Sequence, residues 1–211
     1  MGNCKLFLLF WASVFLVACD NATQTPVQHT ETMAARPVLI QPVGGFPAKQ
    51  AGILQKRLEQ IIPNVAVASP IPMASNAYFE PLHRYRADSL LYYLHRKSYR
   101  RKGVVVLGLT YKDISTTTHG YYDYGVMGLA RSPGDVCIVS TYRLSRRSEY
   151  RYDQMFKVAI HELAHTEGLG HCELSRTCYM KDSKYKSPTL DETGFCITCK
   201  TYLQKRGWKL E

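Results

Sequence analysis

The sequence contains no hydrophobic run that comfortably spans a bilayer. The apolar stretch at residues 6–17 falls well short of the roughly 20 residues that a membrane helix needs. Acidic residues are also scarce, because 17 Asp and Glu face 27 Lys and Arg and leave a formal net charge of +10. The sequence carries neither internal repeats nor a motif for nucleic-acid recognition. We therefore predict no nucleic-acid partner, and we expect the basic clusters to be solvated surface.

The short apolar stretch is typical of an export signal. The sequence Leu16-Val17-Ala18-Cys19 that ends it resembles a lipobox, in which cleavage precedes the cysteine and the new N-terminus receives lipid. An uncleaved anchor helix and a plain signal peptide remain alternatives, and both still export the chain. Asp20 resembles the signal that retains some Gram-negative lipoproteins in the inner membrane. We predict a signal peptide at residues 1–18 and a lipid on Cys19. The expected location is the bacterial cell envelope, on the periplasmic face of the inner membrane if the source is Gram-negative.

The segment after the signal lacks apolar periodicity. Residues 20–36 are rich in Thr, Gln and Ala, which is typical of a flexible tether. They also contain no cysteine, so no cysteine-switch propeptide is visible. We predict a lipidated tether at residues 19–36 and one compact domain at residues 37–211.

Within that domain, strand and helix patterns alternate and predict an α/β (α+β) fold with a mixed sheet. The run at residues 103–110 is continuously apolar and β-branched, which favours a central strand buried on both faces. The predicted strands are residues 38–43, 65–68, 103–110, 124–129 and 136–141. The predicted helices are residues 47–62, 87–97, 148–167 and 196–205.

The strongest motif is His161-Glu162-Leu163-Ala164-His165-Thr166-Glu167-Gly168-Leu169-Gly170-His171. Residues four apart lie on one face of a helix, so His161 and His165 can bind one metal ion. Gly168 lets the chain end the helix with a positive φ and return with His171 as a third ligand. Glu162 lies beside the first ligand, where it can serve as a general base.

Three histidines leave the fourth position of a tetrahedral zinc open, which is typical of a catalytic site. Zinc lowers the pKa of a bound water to roughly 7, so metal-dependent hydrolysis becomes possible at neutral pH. The alternative is an amphipathic helix with solvated histidines. The string of three histidines, a glutamate and a glycine at these spacings favours zinc.

The residues after this string carry a closer resemblance. The order of Cys172, Cys178, Met180, Cys196 and Cys199 resembles that of the archaemetzincins, a branch of the metzincin metallopeptidases, with small differences in the spacings. The resemblance implies a metzincin-like zincin fold. Such a fold has a mixed twisted sheet, a backing helix, an active-site helix and a small C-terminal subdomain bound by zinc and cysteine.

The resemblance also implies roles for these residues. Met180 would lie in a tight turn beneath the histidines, and the four cysteines would bind a second, structural zinc. An exported chain could instead pair the four cysteines in two disulfides. We predict Cys137, which lies in an apolar run, to be a buried free thiol. In metzincins an edge strand above the cleft pairs with the substrate backbone, and residues 124–130 are the candidate here.

We predict a monomeric zinc peptidase with two zinc ions, acting on peptide or protein substrates and tethered to a membrane by lipid on Cys19. Glu162 would be the catalytic residue. Whether the enzyme trims N-termini or cuts internally stays open. The alternative is a catalytically weak lipoprotein whose zinc-stabilised fold binds a peptide or partner. The intact Glu162 argues against that alternative, because a binding protein has no need of a base beside the ligands. A zinc store is the weakest alternative.

Overall fold

The fold is that of a computed structural model, which describes residues 33–98, 102–182 and 188–211. The predicted signal peptide, Cys19 and most of the predicted tether lie outside the described residues. No helix within the described ranges has both the length and the hydrophobicity needed to cross a membrane.

The described residues form nine strands and four α-helices, with three short 3₁₀ turns between them. The strands are Val38–Pro42 (β1), Val65–Val67 (β2), Tyr78–Phe79 (β3), Arg84–Arg86 (β4), Val105–Thr110 (β5), Ile114–Thr118 (β6), Tyr121–Val126 (β7), Gly128–Ala130 (β8) and Val136–Ser140 (β9). The helices are Ala48–Leu58 (α1), Ala87–Ser98 (α2), Ser148–Thr166 (α3) and Ile197–Gln204 (α4).

A five-stranded sheet forms the centre of the fold, with strand order β2-β1-β5-β9-β8. The strands β2, β1, β5 and β9 are parallel, and β8 runs antiparallel to β9 at the edge. Every residue of β5 and β9 is buried, as the continuous apolar run predicts. Helices cover both faces: α1, α3 and α4 pack in one apolar cluster, and α2 packs in the other. The predicted α/β fold with a mixed sheet is confirmed.

A second sheet, with strand order β3-β4-β6-β7, lies outside the sequence prediction. Here β6 pairs antiparallel with β7, and β4 pairs parallel with β6. The predicted single strand at residues 124–129 is wrong, because this segment contains the end of β7 and most of β8. Val126 pairs with Ile114 in the second sheet, whereas Gly128 pairs with Val139 in the first. The chain thus changes its partner strand around Met127.

The predicted tether extends too far toward the domain. The amide of Met33 donates to the carbonyl of Lys205 at 3.1 Å, and Ala35 is buried. Arg36 donates to Glu167 Oε1 at 3.0 Å and to the carbonyl of Gly134 at 2.8 Å. Residues 33–36 therefore belong to the folded domain. Composition did not reveal this because the contacts are made by one charged side chain and by the backbone.

Candidate active site and metal centres

Helix α3 presents the zinc motif from its C-terminal half. It runs over 19 residues, from Ser148 to Thr166, and carries His161, Glu162 and His165 in its last two turns. Gly168 follows with φ +86° and donates its N–H to the carbonyl of His165 at 2.9 Å. A positive φ of this kind ends the helix as predicted, and the chain then turns back to present His171.

The three imidazole rings converge on one point. Nε2 of His165 lies 3.0 Å from Nε2 of His161 and 3.3 Å from Nε2 of His171. Two nitrogens on one tetrahedral zinc lie about 3.3 Å apart, given Zn–N distances of about 2.0–2.1 Å. The spacing of the three nitrogens therefore fits one zinc ion.

Backbone hydrogen bonds determine which ring nitrogens face this point. Nδ1 of His161 lies 2.6 Å from the carbonyl of Tyr179, and Nδ1 of His165 lies 2.7 Å from the carbonyl of Leu169. A carbonyl only accepts, so each Nδ1 must carry the proton and each neutral ring turns a lone pair on Nε2 toward the others. Lone pairs this close repel each other unless a cation lies between them. The donor set thus fits a metal ion.

Two of the three rings are also held in the neutral form that a metal requires. Burial, together with the neighbouring His165, lowers the pKa of His161 to about 3. Burial likewise lowers the pKa of His165. Neither ring competes for protons at neutral pH, so both keep a lone pair available for coordination.

Glu162 lies against the edge strand of the first sheet. Its side chain is buried, and a Cβ placed on Gly128 would come within 2.5 Å of its Oε1. Burial raises the pKa of Glu162 to about 8. A cation on the neighbouring histidines acts in the opposite direction, because it stabilises the carboxylate. A carboxyl group whose protonation is balanced in this way suits proton transfer near neutral pH.

Met180 lies directly after Tyr179, whose carbonyl orients His161. The Met180 side chain is fully buried, and its carbonyl accepts the N–H of Cys172 at 2.7 Å. This bond joins the segment that carries Met180 to the chain that leaves His171. The sequence-based role of Met180, a floor beneath the histidines, stays a prediction.

The four cysteines of the C-terminal motif form a second cluster. Sγ atoms of Cys172, Cys178, Cys196 and Cys199 all lie within 4.8 Å of one another, and the Cys172–Cys196 pair is 3.6 Å apart. Two thiolates on a tetrahedral zinc lie about 3.8 Å apart, given a Zn–S distance of about 2.3 Å. All five cysteines among the described residues are free, so no disulfide joins them. The cluster fits a closed tetrahedral metal site better than two disulfides.

Backbone amides support a thiolate at the centre of this cluster. The N–H groups of Met180 and Cys196 point at Sγ of Cys178, at 3.5 Å and 3.4 Å. Burial nevertheless raises the pKa of Cys178, and it raises that of Cys199 further. Three of the four cysteines are buried, and sulfurs this close cannot all ionise without a positive charge among them, which a divalent cation supplies.

Cys137 stands apart from this cluster. It is fully buried on β9 and free, as the sequence predicts, and burial raises the pKa of its thiol well above the usual value.

The histidines and Glu162 line a cleft of about 720 Å³. Residues 124–130 and 116–119 line the same cleft, so both sheets contribute to it. The sequence analysis did not single out Lys157, Arg143, Thr189 or Glu192, which also line it. Helical spacing could have identified Lys157, because it lies four residues before His161 on the same face of α3. Nothing in the sequence places Arg143 or Glu192 there.

The Lys157 ammonium joins α3 to Thr189, which also lines the cleft. Its Nζ donates to the carbonyl of Thr189 at 2.8 Å and lies 2.8 Å from Oδ2 of Asp153. Gln154 Nε2 also donates to Oγ1 of Thr189, at 3.0 Å. These bonds hold the 3₁₀ turn Pro188–Leu190 against α3 beside the first histidine.

Comparisons with known proteins agree with this geometry. The model of peptidase family M54 matches residues 67–205. The archaemetzincin of Halobacterium salinarum is 29% identical over 171 residues, covering 76% of this chain and 95% of that protein. The crystal structure of the Methanopyrus kandleri archaemetzincin matches with a TM-score of 0.67 at 26% identity, covering 86% of this chain and 98% of that one. The Archaeoglobus fulgidus archaemetzincin, solved in complex with malonate, matches with a TM-score of 0.65 at 25% identity, covering 79% and 99%.

The chain belongs to peptidase family M54, the archaemetzincins, and is thus a zinc metallopeptidase, a hydrolase of peptide bonds.

Proposed function

We propose that His161, His165 and His171 bind the zinc ion of this peptidase and that Glu162 is its general base. The observation that carries the proposal is the convergence of three Nε2 atoms at 3.0 Å and 3.3 Å, with the Nδ1 atoms of His161 and His165 bonded to backbone carbonyls. A cation between these atoms explains why the neutral rings of His161 and His165 turn their Nε2 lone pairs toward each other and toward the third ring.

When bound, zinc supplies Lewis acidity, which makes water more acidic and a peptide carbonyl more electrophilic. Glu162 accepts the proton of the attacking water, and the same carboxyl group later passes it to the nitrogen of the leaving amine. Gly128 and the buried surroundings of Glu162 keep this carboxyl group in one position. The edge strand β8 lies directly beside it and offers backbone groups to an extended peptide.

We further propose that Cys172, Cys178, Cys196 and Cys199 bind a second zinc ion with a structural role. The mutual distances of their Sγ atoms and the amides pointing at Cys178 support this assignment. Because Cys172 directly follows His171, this second site would fix the loop that carries the third histidine ligand.

The lipobox supports a location in the cell envelope. We propose that lipid on Cys19 tethers the enzyme to a membrane, so that its substrates are peptides or proteins close to that membrane. The basis is the sequence Leu16-Val17-Ala18-Cys19 after the apolar stretch.

The test is cleavage of a diverse peptide library by zinc-loaded protein that lacks residues 1–19, read by mass spectrometry. The same library is treated with Glu162→Ala and with wild-type protein stripped of metal by a chelator. We expect cuts with the wild type that disappear in both controls and return when zinc is restored to the wild type. Cuts that persist in Glu162→Ala would overturn the role of Glu162. A folded, zinc-loaded wild type that makes no cuts would favour the weak binding protein instead.

A further inference from the structure

One buried carboxyl group of the cleft has no partner among the described residues. Glu192 is only 3% exposed, yet it lines the same cleft as His161 and Glu162. Within residues 33–98, 102–182 and 188–211, its carboxyl group makes neither a hydrogen bond nor an ion pair. A buried carboxylate without a partner is unfavourable, and buried polar groups are otherwise hydrogen-bonded. The protein therefore keeps at this position a group that its own fold does not satisfy.

The nearby ammonium of Lys157 does not satisfy it either. Burial raises the pKa of Glu192 to about 7, and the charge of Lys157 counteracts this, so the two groups are close. The Lys157 ammonium nevertheless bonds elsewhere: Nζ lies 2.8 Å from Oδ2 of Asp153 and donates to the carbonyl of Thr189 at 2.8 Å. Lys157 is thus held by other partners and leaves the carboxyl group of Glu192 open toward the cleft.

The guanidinium of Arg143 also has its own carboxylate. Its Nε and Nη2 donate to the two oxygens of Asp113, at 2.8 Å and 2.9 Å. Lys181, which lines the cleft as well, is followed directly by Asp182 and adds no net charge together with it. An acidic group of a substrate finds Arg143 and Lys157 already paired, whereas a basic group finds the carboxyl group of Glu192. The cleft thus favours a cationic ligand.

Glu192 lies on the side of the cleft next to the first histidine. Lys157, whose charge acts on Glu192, precedes His161 by four residues on α3. This spacing corresponds to one helical turn, or about 6 Å along the helix axis. Consecutive Cα atoms of a peptide are about 3.8 Å apart. A substrate group bound at Glu192 therefore belongs to a residue at or next to the cleaved bond.

We propose that Glu192 determines specificity by binding a cationic group of the substrate next to the cleaved bond. A lysine or arginine side chain fits, because a long apolar stem carries its charge into a buried site. The α-ammonium of a substrate N-terminus offers the same charge and is the second possible source. The inference rests on the proposed peptidase function and deepens it, because it names the substrate class as peptides with a positive charge at the cut.

The site discriminates by charge for a physical reason. In the folded protein, burial disfavours the ionised form of Glu192. A cation within about 4–6 Å reverses this preference, because it stabilises the carboxylate. A neutral substrate group gives no such gain. Carboxyl groups that burial perturbs within a cleft are typical of functional sites, and this role accounts for a group that otherwise only destabilises the fold.

The first test changes the charge of the substrate and leaves the enzyme unchanged. In one peptide that the zinc-loaded wild type cleaves, lysine replaces in turn each of the two residues on either side of the cut. Norleucine at the same position is the control, because it keeps the four-carbon stem and lacks the ammonium. All N-termini are acetylated. We expect one position at which lysine raises kcat/KM about 30-fold over norleucine, mainly through a lower KM.

A second arm identifies the source of the charge. Norleucine peptides are shortened until their first residue directly precedes the cut, and each is prepared with a free and with an acetylated N-terminus. If the α-ammonium is the ligand, the free terminus raises kcat/KM about 30-fold and the lysine series is flat. If the side chain is the ligand, acetylation leaves the preference for lysine intact. No response to charge in either arm would overturn the inference.

The second test repeats both arms with Glu192→Gln, which replaces the carboxylate by an amide of similar size. Asp191→Asn is the matched control, since Asp191 is an exposed neighbouring carboxyl group. In Glu192→Gln we expect the preference for the cationic peptide to disappear, with kcat/KM for the norleucine peptides within about threefold of the wild type and zinc content unchanged. Asp191→Asn should keep the preference.

Three results would overturn the role of Glu192. The preference could survive in Glu192→Gln, both variants could lose it equally, or Glu192→Gln could lose activity on charged and neutral peptides alike, which is the mark of a structural role. A wild type that cleaves peptides without regard to charge contradicts this inference alone. A wild type that cleaves no peptide of the series or the library contradicts the proposed function, so the two failures are distinguishable.

Discussion

At position 128 the absence of a side chain leaves room for the carboxyl group of Glu162. A Cβ there would lie 2.5 Å from Oε1 and 2.6 Å from Cγ of that residue, so the carboxyl group would have to move. None of the three histidines is among the atoms that a Cβ on Gly128 would meet first. The position of the proposed base can therefore be changed without a direct change at the three histidines.

Gly128→Ala should therefore lose turnover while it keeps its zinc. We expect kcat to fall about 100-fold, because a displacement of about 1 Å is enough for such a loss. Gly52→Ala is the control, since a Cβ at that position on α1 meets nothing within 4 Å. Steady-state kinetics and zinc content are measured on both variants. Equal kinetics for the two variants would contradict the role of Gly128.

Glu192 supplies a test that depends on pH. Its carboxyl group is buried, and burial raises its pKa to about 7, although Lys157 acts in the opposite direction. The folded-state pKa thus lies above the ordinary value of 4.5. As pH rises, Glu192 ionises in the unfolded chain before it ionises in the folded protein. Its contribution to the free energy of unfolding therefore becomes more unfavourable between about pH 4.5 and 7 and stays constant above that range.

Compared with the wild type, Glu192→Gln should therefore raise the free energy of unfolding more at pH 8 than at pH 5. The expected difference is about 1–3 kcal/mol in the free energy of unfolding, from the size of the pKa shift. Urea unfolding of wild type and variant at both pH values measures it. If the wild type and the variant differ by the same amount at pH 5 and pH 8, ionisation of Glu192 does not destabilise the folded protein, and the prediction is wrong.

At the scale of elements, the loop after α3 links the two candidate metal sites. Cys172 follows His171 directly, and its N–H donates to the carbonyl of Met180. Met180 in turn follows Tyr179, which orients His161. Loss of the cysteine site should therefore disturb the histidine site as well.

Cys178→Ser should lower the zinc content from two ions per chain to one or fewer and reduce the melting temperature. Its sulfur accepts two backbone N–H groups and lies at the centre of the cluster. Cys137→Ala is the matched control, because Cys137 is a buried thiol outside the cluster. That control should keep both metal ions, as measured by mass spectrometry of the metal. An unchanged zinc content in Cys178→Ser would exclude the second site.

Regular periodicity identified the elements that form the core. The motif helix was predicted at residues 148–167 and is found at Ser148–Thr166. The central strand was predicted at residues 103–110 and is found at Val105–Thr110. Most buried positions of both elements are apolar, although α3 also buries Gln154, Lys157, Glu162 and Thr166, and this pattern predicts the type of element.

The second sheet could not be predicted in the same way. Its strands β3 and β4 have only two and three residues, and β4 consists of Arg84, Tyr85 and Arg86. Strand β4 is held by β6, whose Ile114 pairs with Tyr85, and by ion pairs such as that of Arg84 with Asp113, at 3.2 Å. The break at Met127 is equally invisible, because the choice between two partner strands is a tertiary property.

At the scale of the whole molecule, the site was largely predictable and its surroundings were not. The positions of the histidines and Glu162 follow from the motif spacing, and the set of four cysteines follows from the resemblance to the archaemetzincins. The structure brings the three histidines together and the four cysteines together. The attachment of residues 33–36 to the end of α3 depends on Arg36, whose partners Gly134 and Glu167 lie far away in sequence. No local pattern encodes such a contact.

The proposed tether gives a prediction for the complete chain. Cys19→Ala removes the only cysteine of the lipobox, so the protein should no longer be lipidated. Expressed in a bacterial host, the wild type should sediment with membranes and the variant should not, with peptidase activity unchanged. Cys4→Ala is the control and should behave like the wild type. A wild type that stays soluble, or a variant that still sediments with membranes, would contradict lipid anchoring.

The central claim is that one glutamate beside three zinc-binding histidines performs peptide hydrolysis. The most direct measurement is kcat for one cleaved peptide with wild type and Glu162→Gln, together with the zinc content of the same two samples. The account predicts equal zinc and a fall in kcat of about 10²–10⁴, the usual contribution of a general base. Equal kcat values at equal zinc content would contradict it.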